Sequence, residues 1–209
     1  MKPPPARRLS AALALLVPSA LAPAADATVS EVQQTLLTYA YGDPSPLAEY
    51  GRIYPYARFD GYSASGSERS WTMVKLENDY LVVLIAPQIG GKVWAAYDKV
   101  HSRDIIYRNP VVKFRDVGLR GPWTAGGLEF NFGIIGHAPT CASPVDYCLA
   151  HDAAGGVSCI VGALDLPSRT EWRVTISLER DQAAFTTEAS WSNPTVYHQS
   201  CYQWMTAAA

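Results

Sequence analysis

Residues 121–133 read Gly-Pro-Trp-Thr-Ala-Gly-Gly-Leu-Glu-Phe-Asn-Phe-Gly, and the second half of this stretch has the two-residue period of a β-strand. From Leu128 to Phe132 every second side chain is apolar, so these side chains share one side of the strand. Glu129 and Asn131 alternate with them and share the other side. We expect the apolar side to enter the interior and Glu129 and Asn131 to lie together on a solvated, concave surface.

An indole, a guanidinium and an imidazole flank this strand in the sequence. Trp123 can stack on a pyranose ring, and Arg120, Asn131 and His137 can hydrogen-bond sugar hydroxyls. Two alternatives stay open, because Trp123 can instead be buried in the core and Arg120 can form a salt bridge with Glu129. The set of side chains favours a sugar site.

Two reactions on sugars use groups of these types. Ring opening at an anomeric carbon needs a proton acceptor and a proton donor, and Glu129 with His137 can fill these roles. Glycoside hydrolysis normally needs two carboxylates, for which Glu129 with Asp146 is the best pair in this region. The alternative interpretation is that Asp146 forms a turn after Ser143-Pro144.

The N-terminus has the pattern of a secretory signal peptide. Basic residues precede a short apolar run at 9–21, and small-x-small cleavage sites follow it at 22–24 and 25–27. We therefore predict a signal peptide at 1–25 and a protein that is secreted or periplasmic. No further apolar run approaches membrane-spanning length.

Composition and motifs exclude several function classes. The formal net charge is −2, and it becomes more negative once the basic signal is removed, so nucleic acid is not an expected partner. Gly90-Gly91 and Gly126-Gly127 lack the spacing of a phosphate-binding loop, and we expect no cofactor.

Four cysteines leave the thiol chemistry open. In an exported protein they can form a disulfide, and the alternative is free, buried thiols. A zinc site can be drawn from His137, Cys141, Cys148 and His151, but its spacing matches no common ligand pattern. We predict no metal.

Short alternating segments with little helix between them predict an all-β, antiparallel sandwich. We expect an irregular lead-in at 26–70, with helical spacing at Val29–Tyr41, and the β-domain at 71–209. The predicted strands include 71–77, 80–86, 92–97, 104–107, 172–178 and 185–191. A last strand starts at Tyr202 and the sequence stops at Ala209, so we expect a domain truncated at its C-terminus.

The stretch from Leu81 through Met205 resembles the DUF5107 family, a bacterial module of the galactose-mutarotase-like (β-supersandwich) superfamily that is often joined to tetratricopeptide repeats. Two groups of segments carry the resemblance. The first is Ala-Pro-Gln-Ile-Gly-Gly-Lys-Val-Trp at 86–94, with 98–99 and 104–109. The second, longer and more specific, is 118–132 with 137–140 and 143–147.

The resemblance implies handling of sugars, because the superfamily contains sugar 1-epimerases, non-catalytic carbohydrate binders and domains of glycoside hydrolases and polysaccharide lyases. In its epimerases the catalytic histidine lies mid-domain, which His137 matches, and the catalytic carboxylate lies near the C-terminal end. The resemblance also implies a domain several strands longer than this chain.

These observations lead to one expectation and two alternatives. We expect an exported domain whose ligand is an oligo- or polysaccharide. The first alternative is an active glycoside hydrolase or aldose 1-epimerase that uses Glu129 and His137. The second is a structural fragment that binds nothing.

Overall fold

The computed structural model describes residues 25–133 and 136–208, so the predicted signal peptide lies outside the described residues except for its last position. Within these ranges the chain forms fourteen strands and no helix. The strands are β1 (Thr28–Tyr39), β2 (Ser67–Glu77), β3 (Leu81–Ala86), β4 (Lys92–Asp98), β5 (Arg103–Asp104), β6 (Val111–Lys113), β7 (Arg115–Val117), β8 (Gly121–Trp123), β9 (Leu128–Gly133), β10 (Asp146–His151), β11 (Val157–Asp165), β12 (Thr170–Leu178), β13 (Phe185–Ser192) and β14 (Tyr202–Ala207).

The strands form one large sheet and two smaller ones. The large sheet has eight strands in the order β14-β9-β4-β3-β2-β1-β6, with β5 paired to β4. A four-stranded sheet has the order β10-β11-β12-β13, and β7 pairs with β8. All described pairs are antiparallel except β1 with β6. The all-β prediction is confirmed.

One apolar cluster joins the large sheet to the four-stranded sheet. It combines buried side chains of β3 and β9 with buried side chains of β11 and β12. Phe132 of β9 stacks on Trp172 of β12, with ring centroids 4.9 Å apart and planes 6° apart. The apolar side chains of β9, at 128, 130 and 132, therefore face this core, as their alternation with polar residues predicts.

The opposite face of the large sheet is also covered. A second apolar cluster there includes Trp71, Met73, Trp94 and Phe114. Because β3 lies between these two clusters, its side chains are almost all buried. A continuous apolar run is the pattern expected of a strand covered on both faces.

The predicted helical spacing at Val29–Tyr41 is wrong, because these residues form most of β1. β1 pairs with β2 along its length, from Thr28 opposite Glu77 to Thr38 opposite Ser67. Its β-branched side chains suit a strand, and the ladder to β2 satisfies its backbone, so tertiary pairing overrides the spacing.

Two smaller outcomes concern strand ends and cysteines. The strand expected at 104–107 is only the two-residue β5, whereas the strand expected from Tyr202 is β14. All four cysteines are free thiols, with Cys141 and Cys159 buried and Cys148 and Cys201 exposed.

Over the described ranges, no helix has the length and apolar character needed to cross a membrane.

Candidate functional site

The polar side of β9 lies on the face of the large sheet that points away from the sheet–sheet core. Val93 of β4 is opposite Leu128, so Lys92 shares the face of its neighbour Glu129. On the other side of β9, Trp204 of β14 is opposite Asn131. Residues in register share a face. Three adjacent strands therefore bring an ammonium, a carboxylate, an amide and an indole together.

A glycine turn brings the chain into β9. Gly127 has a φ of +72°, a conformation that favours glycine, and a Cβ there would meet the carbonyl oxygen of Val93. This close approach of backbones holds Glu129 beside β4.

The expectation that Glu129 and Asn131 lie on a solvated surface is wrong. Glu129 is 4% exposed and Asn131 is fully buried. Both remain on the face opposite the phenylalanines, but Trp123 and the backbone at Ala138 contact them and cover them. Glu129 and Asn131 therefore belong to a buried polar cluster, and only the edge of this cluster is partly exposed.

Two hydrogen bonds occupy the oxygens of Glu129. The indole Nε1 of Trp123 donates to Oε2 at 2.6 Å, and Nδ1 of His137 lies 2.5 Å from Oε1. A buried carboxylate costs free energy unless such partners satisfy it.

Lys92 provides a buried positive charge for this carboxylate. Its Nζ lies 4.0 Å from Glu129 Oε2, and it donates to the carbonyl oxygen of Thr124 at 3.0 Å. Burial lowers the pKa of Lys92, and the carboxylate of Glu129 opposes that effect.

His137 connects the buried cluster to solvent. Its side chain is 19% exposed, and its ring centroid lies 5.7 Å from that of Trp123 and 5.1 Å from that of Trp204. Nε1 of Trp204 donates to the carbonyl of Gly136 at 3.3 Å, which orients that indole. The imidazole thus lies between two half-buried indoles, and we call these three side chains the aromatic rim.

Arg120 fixes the backbone of the rim. Its Nε donates to the carbonyl oxygen of His137 at 2.6 Å, and its Nη1 donates to the carbonyl oxygen of Tyr54. Burial lowers the pKa of Arg120. Its role toward His137 is therefore to hold the main chain.

Some buried polar side-chain atoms have no hydrogen-bond partner in the described part of the chain. Asn131 accepts a hydrogen bond from the amide of Ala138 at 2.8 Å through Oδ1. Its Nδ2 has no partner in the described part of the chain, and neither do Thr206 Oγ1 and Trp94 Nε1. Thr206 is opposite Glu129 in register, so it belongs to the same face. Buried, unpaired polar atoms are uncommon and cost about 1–3 kcal/mol each.

Five of the six predicted site residues come together: Arg120, Trp123, Glu129, Asn131 and His137. The sixth, Asp146, is exposed and begins β10 in the four-stranded sheet. Among the described contacts it does not meet Glu129. Across residues 25–133 and 136–208, no group of three or more His, Cys, Asp and Glu side chains could hold a metal.

A cleft of about 470 Å³ lies beside the cluster. Its lining includes Trp71, Phe114, Arg120 and Pro122, but neither Glu129 nor His137. Glu129 and His137 therefore do not lie at the bottom of this cleft.

Lys92 and Trp204 belong to the site but were not predicted from the sequence. Lys92 lies in the motif Gly-Gly-Lys-Val-Trp at 90–94, where the charge before an apolar strand was a usable signal. Trp204 reaches the site only through the pairing of β14 with β9, and no local pattern indicates that pairing.

Two comparisons place the chain among known proteins. It is similar to the crystal structure of a TPR-domain containing protein from Parabacteroides distasonis, with a TM-score of 0.76 and 25% sequence identity. The match covers 87% of this chain and 32% of that one, so this chain spans about a third of that protein's length. The family model described as Domain of unknown function (DUF5107) matches residues 48–209. That is well over half of the chain, which therefore belongs to the DUF5107 family.

Proposed function

We propose that this protein binds a carbohydrate at the aromatic rim formed by Trp123, His137 and Trp204. The observation that carries the proposal is the position of the imidazole, between two indoles and backed by a buried carboxylate. Indoles offer flat apolar faces to the C–H faces of a sugar, and a ring nitrogen offers a hydrogen bond to a hydroxyl.

The orientation of both indoles supports this proposal. Each indole N–H is already bonded, to Glu129 in one case and to Gly136 in the other. The rings are therefore fixed before a ligand arrives. Preorganised aromatic rings lose little conformational freedom on binding, which favours affinity.

The test is a glycan array followed by calorimetric titration of the best sugar. Trp123→Ala and Trp204→Ala should each weaken binding by about fivefold or more, the range expected for an aromatic anchor. Trp191→Ala is the matched control, because Trp191 is half-buried but packs on the core between the two sheets. Equal losses in all three variants, or no bound sugar from a folded sample, would refute the proposal and favour a structural fragment.

A second candidate is epimerisation of an aldose, which the bond between Glu129 and His137 favours. A carboxylate behind an imidazole is a common arrangement for a general base. Polarimetry on freshly dissolved glucose or galactose tests it, and a rate equal to that of buffer would remove it. Hydrolysis by Glu129 with Asp146 has no comparable support, since Asp146 is on another sheet.

We also propose that the protein is exported and that its fold belongs to the galactose-mutarotase-like superfamily. The signal-peptide pattern at 1–25 supports export. A large antiparallel sheet packed on a smaller one supports the superfamily assignment. Mass spectrometry of the protein recovered from its host's periplasm or medium would test the first, by showing whether the N-terminus has been cleaved.

A further inference from the structure

Glu129 is too covered to touch a ligand directly. Its side chain is 5% exposed, and its two oxygens are taken by Trp123 and His137. A group in this position acts through its neighbours. His137, with 19% of its side chain exposed, is the neighbour that can meet a ligand.

The donors around Glu129 decide where the proton of His137 lies. An indole N–H can only donate, so Glu129 Oε2 is an acceptor. The Nζ of Lys92, 4.0 Å from the same oxygen, adds a positive charge. A carboxylate has no proton to donate, so its second oxygen, Oε1, accepts a hydrogen bond from Nδ1 of His137. A neutral imidazole then carries its proton on Nδ1 and leaves Nε2 unprotonated.

We propose that Glu129 is a positioning residue that holds His137 as the Nδ1–H tautomer, so that an unprotonated Nε2 accepts a hydrogen bond from a ligand hydroxyl. The inference deepens the proposed function and rests on it. It also names a ligand class. The lone pair on Nε2 accepts a hydrogen bond from the hydroxyl of a neutral saccharide, whereas the carboxylate of a uronic acid has no proton to donate to it.

The first test needs no sugar. In ¹⁵N NMR spectra of the ligand-free protein at about pH 8, where an ordinary imidazole is neutral, His137 should show a protonated Nδ1 and an unprotonated Nε2. Its signals are identified among those of four histidines by their loss in His137→Gln. A proton on Nε2 alone in the unmodified protein would overturn the inference. The measurement is made on the unmodified protein, and the variant serves only to assign the signals of His137.

Glu129→Gln should invert the tautomer. Because Trp123 can only donate, the amide oxygen of Gln turns toward it and the amide NH₂ turns toward His137. Nδ1 must then accept, and the proton moves to Nε2. Glu171→Gln is the control, because Glu171 lies on β12 and pairs with the exposed Arg173. An unchanged tautomer in folded Glu129→Gln would also overturn the inference.

The second test compares a neutral sugar with its uronic-acid counterpart. We expect the neutral sugar to bind at least about tenfold more tightly, and Glu129→Gln to weaken its binding by about the same factor, as for a lost hydrogen bond. Equal affinity for the two sugars would overturn the ligand class. The Nδ1–H tautomer without binding of any sugar would refute the proposed function while supporting the role of Glu129.

Discussion

Replacing Lys92 with methionine should strongly destabilise the fold, because it leaves the Glu129 carboxylate buried without its positive partner. The two side chains are 2% and 5% exposed, with 4.0 Å between Nζ and Oε2. At that separation the attraction is about 4 kcal/mol at an effective dielectric constant of about 20. Removing one partner of a buried pair typically costs about 3–5 kcal/mol. We expect a loss of that size in the free energy of unfolding.

Glu129→Gln should cost less than Lys92→Met. Burial already lowers the pKa of Lys92, so without Glu129 the amine can lose its proton and become neutral. Lys92→Met instead keeps the two hydrogen bonds of the Glu129 carboxylate and removes its positive neighbour. In the double variant neither charge remains. Its loss of unfolding free energy should therefore be about 2–4 kcal/mol smaller than the sum of the two single losses.

Urea unfolding of the four proteins of this cycle measures the coupling. Glu171→Gln with Arg173→Met provides the matched control cycle. That pair is 3.4 Å apart but 46% and 67% exposed, so its coupling should stay below about 1 kcal/mol. Losses at Lys92 and Glu129 that add to within about 0.5 kcal/mol would refute the ion pair.

Two further predictions concern thiols and acid. In the native protein a thiol reagent should modify only the exposed Cys148 and Cys201, because burial covers Cys141 and Cys159 and raises the pKa of each of these two thiols to about 12. Unfolded protein should react at all four cysteines. Hydrogen bonds from two lysines hold the pKa of Glu77 below its ordinary value of 4.5, so its stabilising effect is full above that pH and is lost as the pH falls below it. In Glu77→Gln the urea concentration at the unfolding midpoint should therefore fall less steeply with decreasing pH below about pH 4.5 than in the unmodified protein. An equally steep fall in both proteins would contradict this.

Local patterns in the sequence predicted the elements that depend on one strand at a time. The alternation in β9 put Phe130 and Glu129 on opposite faces, and the structure agrees. The alternation in β12 and β13 likewise predicted that hairpin. The DUF5107 resemblance is confirmed by the family model over 48–209.

The errors came from contacts between distant parts of the chain. Period two shows which side chains share a face, but not whether another segment covers that face, so the burial of Glu129 was missed. The helical spacing in β1 was misleading because its partner β2 begins 28 residues after β1 ends. Trp204 could not be predicted for the same reason, since only the register of β14 with β9 brings it to His137.

The most direct measurement of the central claim is a ¹H–¹⁵N spectrum of the indole N–H groups during titration with the best neutral sugar. Six tryptophans give six such signals. We predict that the signals of Trp123 and Trp204 shift together and saturate. The signals of Trp172, in the core between the two sheets, and of Trp191, which packs on that core, should stay in place. Shifts confined to Trp71, which lines the neighbouring cleft, would contradict the account, and so would a spectrum in which no indole responds.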